Sequence, residues 1–176
     1  AELKEVNKGL QANMDQAAEL IDGALELGIN FFDHADIYAR TRAEEVFGRV
    51  LLERPGLREQ MVLQSKCGIR FADEHTVGRY DLSAAYIEAS VDASLQRLGV
   101  EQLDILLLHR PDALMEPAEI AHAFGRLKAA GKVSHLGVSN MHAGQMRWLQ
   151  TALGEPLVVN QLELSLAKLD AIDVGT

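Results

Sequence analysis

Four side chains of complementary chemistry are spread along the sequence: Asp33, Tyr38, Lys66 and His109. A tyrosine hydroxyl is a poor proton donor at neutral pH. A neighbouring ammonium stabilises the phenolate that a donating tyrosine leaves behind. A carboxylate beside the ammonium keeps it charged and in place. A histidine on the other side can donate a hydrogen bond to a substrate oxygen. Such a set suits the protonation of an oxygen on which negative charge develops. Carbonyl reduction needs that chemistry together with a hydride source. Taken singly, each residue has a plainer reading: Asp33 as a turn cap, Tyr38 as a loop aromatic, Lys66 as a solvated strand end, His109 as a core histidine. The functional reading therefore rests on their common placement.

That placement depends on the elements between them. After Asn13, read as a helix start, Met14, Ala17, Ala18, Ile21, Ala24 and Leu25 recur at helical spacing, and Gly28 stands where a helix-ending glycine belongs. Residues 29–33 read as a buried strand. Thr41 and Glu44 form a capping-box pattern ahead of Val46, Phe47, Val50 and Leu51. Pro55-Gly56 breaks the chain, and residues 61–65 make a second strand. Residues 67–82 are polar and aperiodic, a long loop of the kind that often carries function. Ser83 caps a helix that ends at Gly99, and residues 103–108 form a third strand. Pro117 suits the first turn of a helix closed by Gly131. A fourth strand spans 134–138, a helix 143–153 and a fifth strand 157–161. The tail 165–176 is ambiguous.

Near-continuous apolar strands alternating with amphipathic helices imply a parallel sheet covered by helices. Asp33, Lys66, His109, Ser139-Asn140 and Gln161 each fall at or just past the C-terminal end of a different strand. In parallel β/α folds those ends share one face. Polar groups delivered by five successive strands favour a barrel over an open sheet. No G-x-G-x-x-G follows a strand and no phosphate-binding P-loop occurs, so a Rossmann dinucleotide site has no support.

Composition sets further bounds. The 176 residues are 48% apolar and 24% charged, an ordinary globular mixture with no shift that would split the chain into two domains. The net charge of −9, without a Lys/Arg cluster, argues against nucleic acid or an anionic membrane surface as partner. A single cysteine cannot form an internal disulfide, no apolar run is long enough to span a bilayer, and Ala1–Leu10 has no signal-like core. A cytoplasmic location is expected. Cys67 reads as structural. His34, Asp36, His109 and Asp104 invite a metal site, but Asp104 lies early in its strand and should point away from the rim, leaving too few ligands. No metal is expected.

Several segments resemble the aldo-keto reductase family. Gly28-Ile29-Asn30-Phe31-Phe32-Asp33-His34-Ala35-Asp36-Ile37-Tyr38 is similar to its signature around the aspartate and tyrosine. Val62–Lys66 is similar to its lysine strand and Leu103–Pro111 to its histidine strand. Gly131–Asn140 resembles the strand ending in a nicotinamide-contacting Ser-Asn pair, and Asn160-Gln161 the position of its glutamine. The five motifs occur in family order. Histidine after the aspartate is most like a bacterial predicted-oxidoreductase subgroup.

The resemblance implies an α/β (β/α)8 TIM barrel, of which about five central βα units, the second to sixth strands, lie in a single partial domain 1–176. Such barrels typically need about 250 residues. A first strand would precede Ala1, and the seventh and eighth would follow Gln161. Tyr38 would be the general acid, eased by Lys66, with Asp33 paired to Lys66 and His109 polarising the carbonyl. Ser139, Asn140 and Gln161 would hold the nicotinamide. The implied cofactor is NADPH, with NADH a possible substitute, and the implied partner a small-molecule carbonyl substrate. Residues reading the 2′-phosphate would lie beyond Thr176, so the 176-residue chain alone is expected to bind NADPH poorly. Two alternatives stay open: a nicotinamide-sensing subunit of low turnover, and a metal-dependent TIM-barrel hydrolase. Oligomeric state is unread.

Overall fold

A computed structural model describes residues 2–169, with side chains from residue 11 onward. The order is α1 (Glu2–Glu26), β1 (Phe31–Asp33), α2 (Arg42–Glu53), β2 (Val62–Cys67), β3 (Ile69–Arg70), β4 (Arg79–Tyr80), α3 (Ala84–Leu98), β5 (Leu103–Leu108), α4 (Pro117–Ala129), β6 (Val133–Ser139), α5 (Ala143–Gln150) and β7 (Asn160–Gln161). Five strands form one parallel sheet in the order β1-β2-β5-β6-β7. Each is hydrogen-bonded to the next sheet strand in sequence, which is how a barrel wall grows.

The sheet is strongly curled. Flat, its outer strands would lie about 19 Å apart. Yet the Gln161 side chain at the end of β7 donates to Asp33 at the end of β1, 3.0 Å away. The architecture is a half-barrel. Strand register sorts the residues between its two faces. Phe32 pairs with Leu63, and Leu106 with Leu136, on the helix-covered side, where Leu63, Leu106, Leu108, Leu136 and Val138 join the apolar core beneath α2, α3 and α4. Asp33, Gln64 and Lys66 alternate to the concave side, followed by Leu107, Gly137 and Ser139. Gly137 is needed there: a Cβ would sit 2.4 Å from Leu107 Cδ2 and 2.5 Å from Val159 Cγ1.

Most element boundaries follow local chemistry. Ser83 accepts from the Tyr86 N–H as the cap of α3, and Gly99 ends that helix at φ 65°. Gly28, at φ 78°, closes α1 with paired bonds from Gly28 N to Leu25 O and Ile29 N to Ala24 O. Three expectations are corrected. The first helix begins at Glu2 rather than Asn13, because nothing at Asn13 interrupts the helical backbone. Thr41 and Glu44 form no capping box: Thr41 is left-handed with no cap bond, and Glu44 is fully buried beneath the sheet. The reciprocal box belongs instead to His142 and Gln145 at α5. The long loop 67–82 contains a small antiparallel hairpin, β3 with β4. Of the ambiguous tail, residues 170–176 lie outside the described residues. Among the described residues, no helix is long and apolar enough to cross a membrane.

Candidate active site

The ends of β1, β2, β5, β6 and β7 deliver their polar residues to one rim of the half-barrel. Lys66 stands at its centre and is 1% exposed. An ammonium has three N–H donors, and all three are used. Nζ donates to Asp33 Oδ1 at 2.6 Å, to the His34 carbonyl at 2.9 Å and to the Tyr38 hydroxyl at 3.0 Å. Tyr38 accepts that bond with its oxygen, so its own hydroxyl hydrogen remains available. The side chain is 38% exposed and can be reached from outside.

Asp33 is held by three donors: Lys66, Gln64 Nε2 at 2.6 Å and Gln161 Nε2 at 3.0 Å. Burial pushes its carboxyl upward, but the hydrogen bonds from Lys66, Gln161 and Gln64 outweigh burial and hold it below the ordinary value of 3.8. It is a carboxylate at neutral pH. The His109 ring meets the Tyr38 ring edge-on, with centroids 6.0 Å apart. Burial, with the nearby positive charges of Lys66 and Arg110, pushes His109 down to about 4. It is therefore a neutral imidazole with one N–H to donate, and its Nδ1 has no partner among the described residues.

Ser139, Asn140 and Gln161 meet beside this cluster. Ser139 Oγ donates to the Gln161 carbonyl at 3.0 Å, and Asn140 Nδ2 donates to Ser139 Oγ at 2.7 Å. Asn140 turns the chain at φ 58°. The set offers amide donors and acceptors close to the Asp33–Lys66 pair, the complement that a carboxamide-bearing ring requires. All seven residues singled out in the sequence thus share one rim.

Other candidates sort differently. Asp104 is at the opposite end of its strand, where Oδ2 accepts from the Leu63 N–H at 2.7 Å and from Arg58 at 2.8 Å. His34 is buried with its ring edge-on to Phe47 at 4.4 Å, and burial pushes its pKa down. Cys67 is buried, and burial pushes its thiol up, which keeps it protonated. Among the described residues, no three His, Cys, Asp or Glu side chains gather as metal ligands would.

Gln64 was missed in the sequence, while Asp36 was weighed only as a metal ligand and Glu44 only as part of a capping box. Gln64, 1% exposed, donates to Asp33. Its signal was register, since a residue two positions before Lys66 shares its face of the strand. Asp36 and Glu44 are buried on the other face, against Ser90 and against Ser65 with Arg97. They carried no periodic signal that would separate them from surface acids.

Residues 4–173 match the model described as "Aldo/keto reductase family". The chain is 45% identical over 161 residues to the uncharacterized oxidoreductase YcsN of Bacillus subtilis, covering 89% of this chain and 54% of the relative. It is 41% identical over 159 residues to a 6-dehydroglucose reductase of Agrobacterium fabrum, covering 88% and 54%. The aldo-keto reductase AKR11C1 from Bacillus halodurans in its holo form superposes with a TM-score of 0.75 at 30% identity, over 86% of this chain and 49% of that one. The chain spans about half the length of these relatives.

Proposed function

The chain belongs to the aldo/keto reductase family, and from that premise we propose that it reduces a small aldehyde or ketone to the alcohol with NADPH. The observation that carries the reading is the buried Lys66 ammonium donating to the Tyr38 hydroxyl while Asp33 anchors it from the other side. Ser139, Asn140 and Gln161 would hold a reduced nicotinamide through its carboxamide, and the chemistry that group would supply is hydride for the carbonyl carbon. Tyr38 gives its hydroxyl proton to the carbonyl oxygen as charge develops there. Lys66 stabilises the resulting phenolate by a charge-assisted bond. Neutral His109 donates an N–H to the same oxygen and orients it. Asp33, itself held by Gln64 and Gln161, anchors the Lys66 ammonium and keeps it aimed. Names of relatives that include 6-dehydroglucose reductase and glycerol dehydrogenase support a polar carbonyl or alcohol as the substrate class.

The test is Tyr38→Phe in the full-length protein. Turnover of a small aldehyde is expected to fall by about 10²–10⁴-fold, with NADPH affinity within a factor of about two because Tyr38 lies outside the carboxamide contacts. Unchanged turnover in that variant would remove Tyr38 from its role.

A further inference from the structure

Tyr38 stands in a segment whose backbone is under strain. Ala39, Arg40 and Thr41, the three residues after it, all have positive φ: 50°, 54° and 75°. None is a glycine, and a Cβ makes each left-handed residue unfavourable. Such a run persists only where its surroundings over-determine it.

Two buried carboxylates bracket the turn. Before it, Asp36 is 6% exposed and accepts from Ser90 Oγ of α3 at 2.7 Å, while its backbone N–H donates to the Lys66 carbonyl at 3.0 Å. After it, Glu44 is 0% exposed and accepts from Ser65 Oγ at 2.6 Å and from Arg97 Nε of α3 at 2.7 Å. Arg97 in turn donates to Ser94 Oγ. Ser65 is the residue before Lys66 in β2. The contacts that hold the turn at both ends therefore also tie it to the strand presenting the ammonium. On the outer side, the Arg40 guanidinium lies over the Phe71 ring at 5.2 Å.

We propose that Asp36 with Ser90, and Glu44 with Ser65 and Arg97, form a buried brace that holds the left-handed turn and thereby sets Tyr38 against Lys66 and His109. Asp36 and Glu44 are positioning residues: their side chains bond to Ser90, Ser65 and Arg97 rather than to the rim side chains, and they act through the backbone of the turn. This deepens the reading of Tyr38 as proton donor and rests on it for its catalytic consequence. The geometric claim stands apart. Removing one end of the brace lets the turn relax toward ordinary φ values and carries Tyr38 away from its partners. Replacing Ala39 by glycine removes strain at the first left-handed residue, so the weakened brace then suffices.

The experiment uses tyrosine-ring-labelled and histidine-ring-labelled protein and NMR. Tyr38 signals are identified by their loss in Tyr38→Phe, and the readout is the cross-relaxation between the Tyr38 and His109 rings. In Ser90→Ala that contact is expected to drop to less than half its native intensity, and in Ser90→Ala with Ala39→Gly to recover. In parallel, kcat for an aldehyde in the full-length protein should fall about tenfold in Ser90→Ala with KM within twofold, and recover in the double variant. An unchanged ring contact in Ser90→Ala, or no recovery with Ala39→Gly, overturns the brace. A purely structural serine would lower Tm alone. Should Ser90→Ala not fold, the pair Asp36→Ala and Asp36→Asn replaces it: the amide keeps an acceptor for Ser90 and should keep the ring contact, which the alanine should lose. If instead Tyr38→Phe keeps full turnover, the catalytic reading fails while the ring contact still decides the brace.

Discussion

The buried carboxyl of Asp36 makes a sharp statement about stability and pH. Burial, first, and the facing Glu44 push its pKa up to about 6, against the lowering effects of Ser90, Arg97 and the Ile37 N–H. The Cys67 thiol and the Tyr86 hydroxyl also face it and feel its charge. In the unfolded chain the value returns to 3.8. Between those values the folded protein holds a proton that the unfolded chain has released. Stability therefore falls as pH rises through that interval. A gap of about two units corresponds to roughly 3 kcal/mol. His109 runs the other way. Its folded value of about 4 lies below the ordinary 6.5, so over nearly the same interval the unfolded chain binds the extra proton and stability rises, again by roughly 3 kcal/mol. The Asp36 and His109 limbs thus nearly cancel between about pH 4 and pH 6, and buried His34, whose pKa is also lowered, adds a further rise. Asp36→Asn removes the falling limb and steepens the rise. His109→Asn removes one rising limb and makes the slope more negative than the parent's. Urea unfolding followed by circular dichroism and Trp148 fluorescence, at constant salt, measures both. Parallel curves for the parent and Asp36→Asn would refute the argument, since they would mean that folding does not alter the proton affinity of Asp36.

Three further outcomes are expected. Asp33→Ala leaves the nearly inaccessible Lys66 ammonium without its carboxylate and should destabilise the protein by about 3–5 kcal/mol in urea, with Asp33→Asn costing less because its carbonyl still accepts. Gly48→Ala places a Cβ 2.2 Å from the Arg97 carbonyl oxygen where α2 crosses α3, and should cost about 3 kcal/mol despite alanine's better helix propensity; a gain in Tm would contradict that close approach. Gln161→Ala in the full-length protein should weaken NADPH binding about tenfold by fluorescence titration, the worth of one lost amide bond.

How far the sequence carried is clearest by comparing Lys66 with Glu44. Lys66 was legible because it ended an apolar strand, and strands of a parallel sheet place their C-terminal ends together whatever the surrounding loops do. The same reasoning put His109, Ser139 and Gln161 at or just past the ends of their strands, where the structure has them. Glu44 was misread because Thr41 and Glu44 have the spacing of a capping box, a local pattern, while the residues that hold Glu44 are Ser65 and Arg97, 21 and 53 positions away. Local spacing carries no information about a partner at that separation. The left-handed turn was illegible for a related reason. Ala39, Arg40 and Thr41 have no intrinsic preference for positive φ, so nothing in their types announces it; the conformation exists because tertiary contacts on either side impose it. Register, not composition, was the unused signal for Gln64, which shares the concave face with Lys66 and supplies a second donor to Asp33. The residues of the rim were therefore readable from strand ends, whereas those that brace it lie in the turn after β1, on α2 and α3, and on the helix-covered face of β2. There each side chain's role depends on which helix the fold has laid across it.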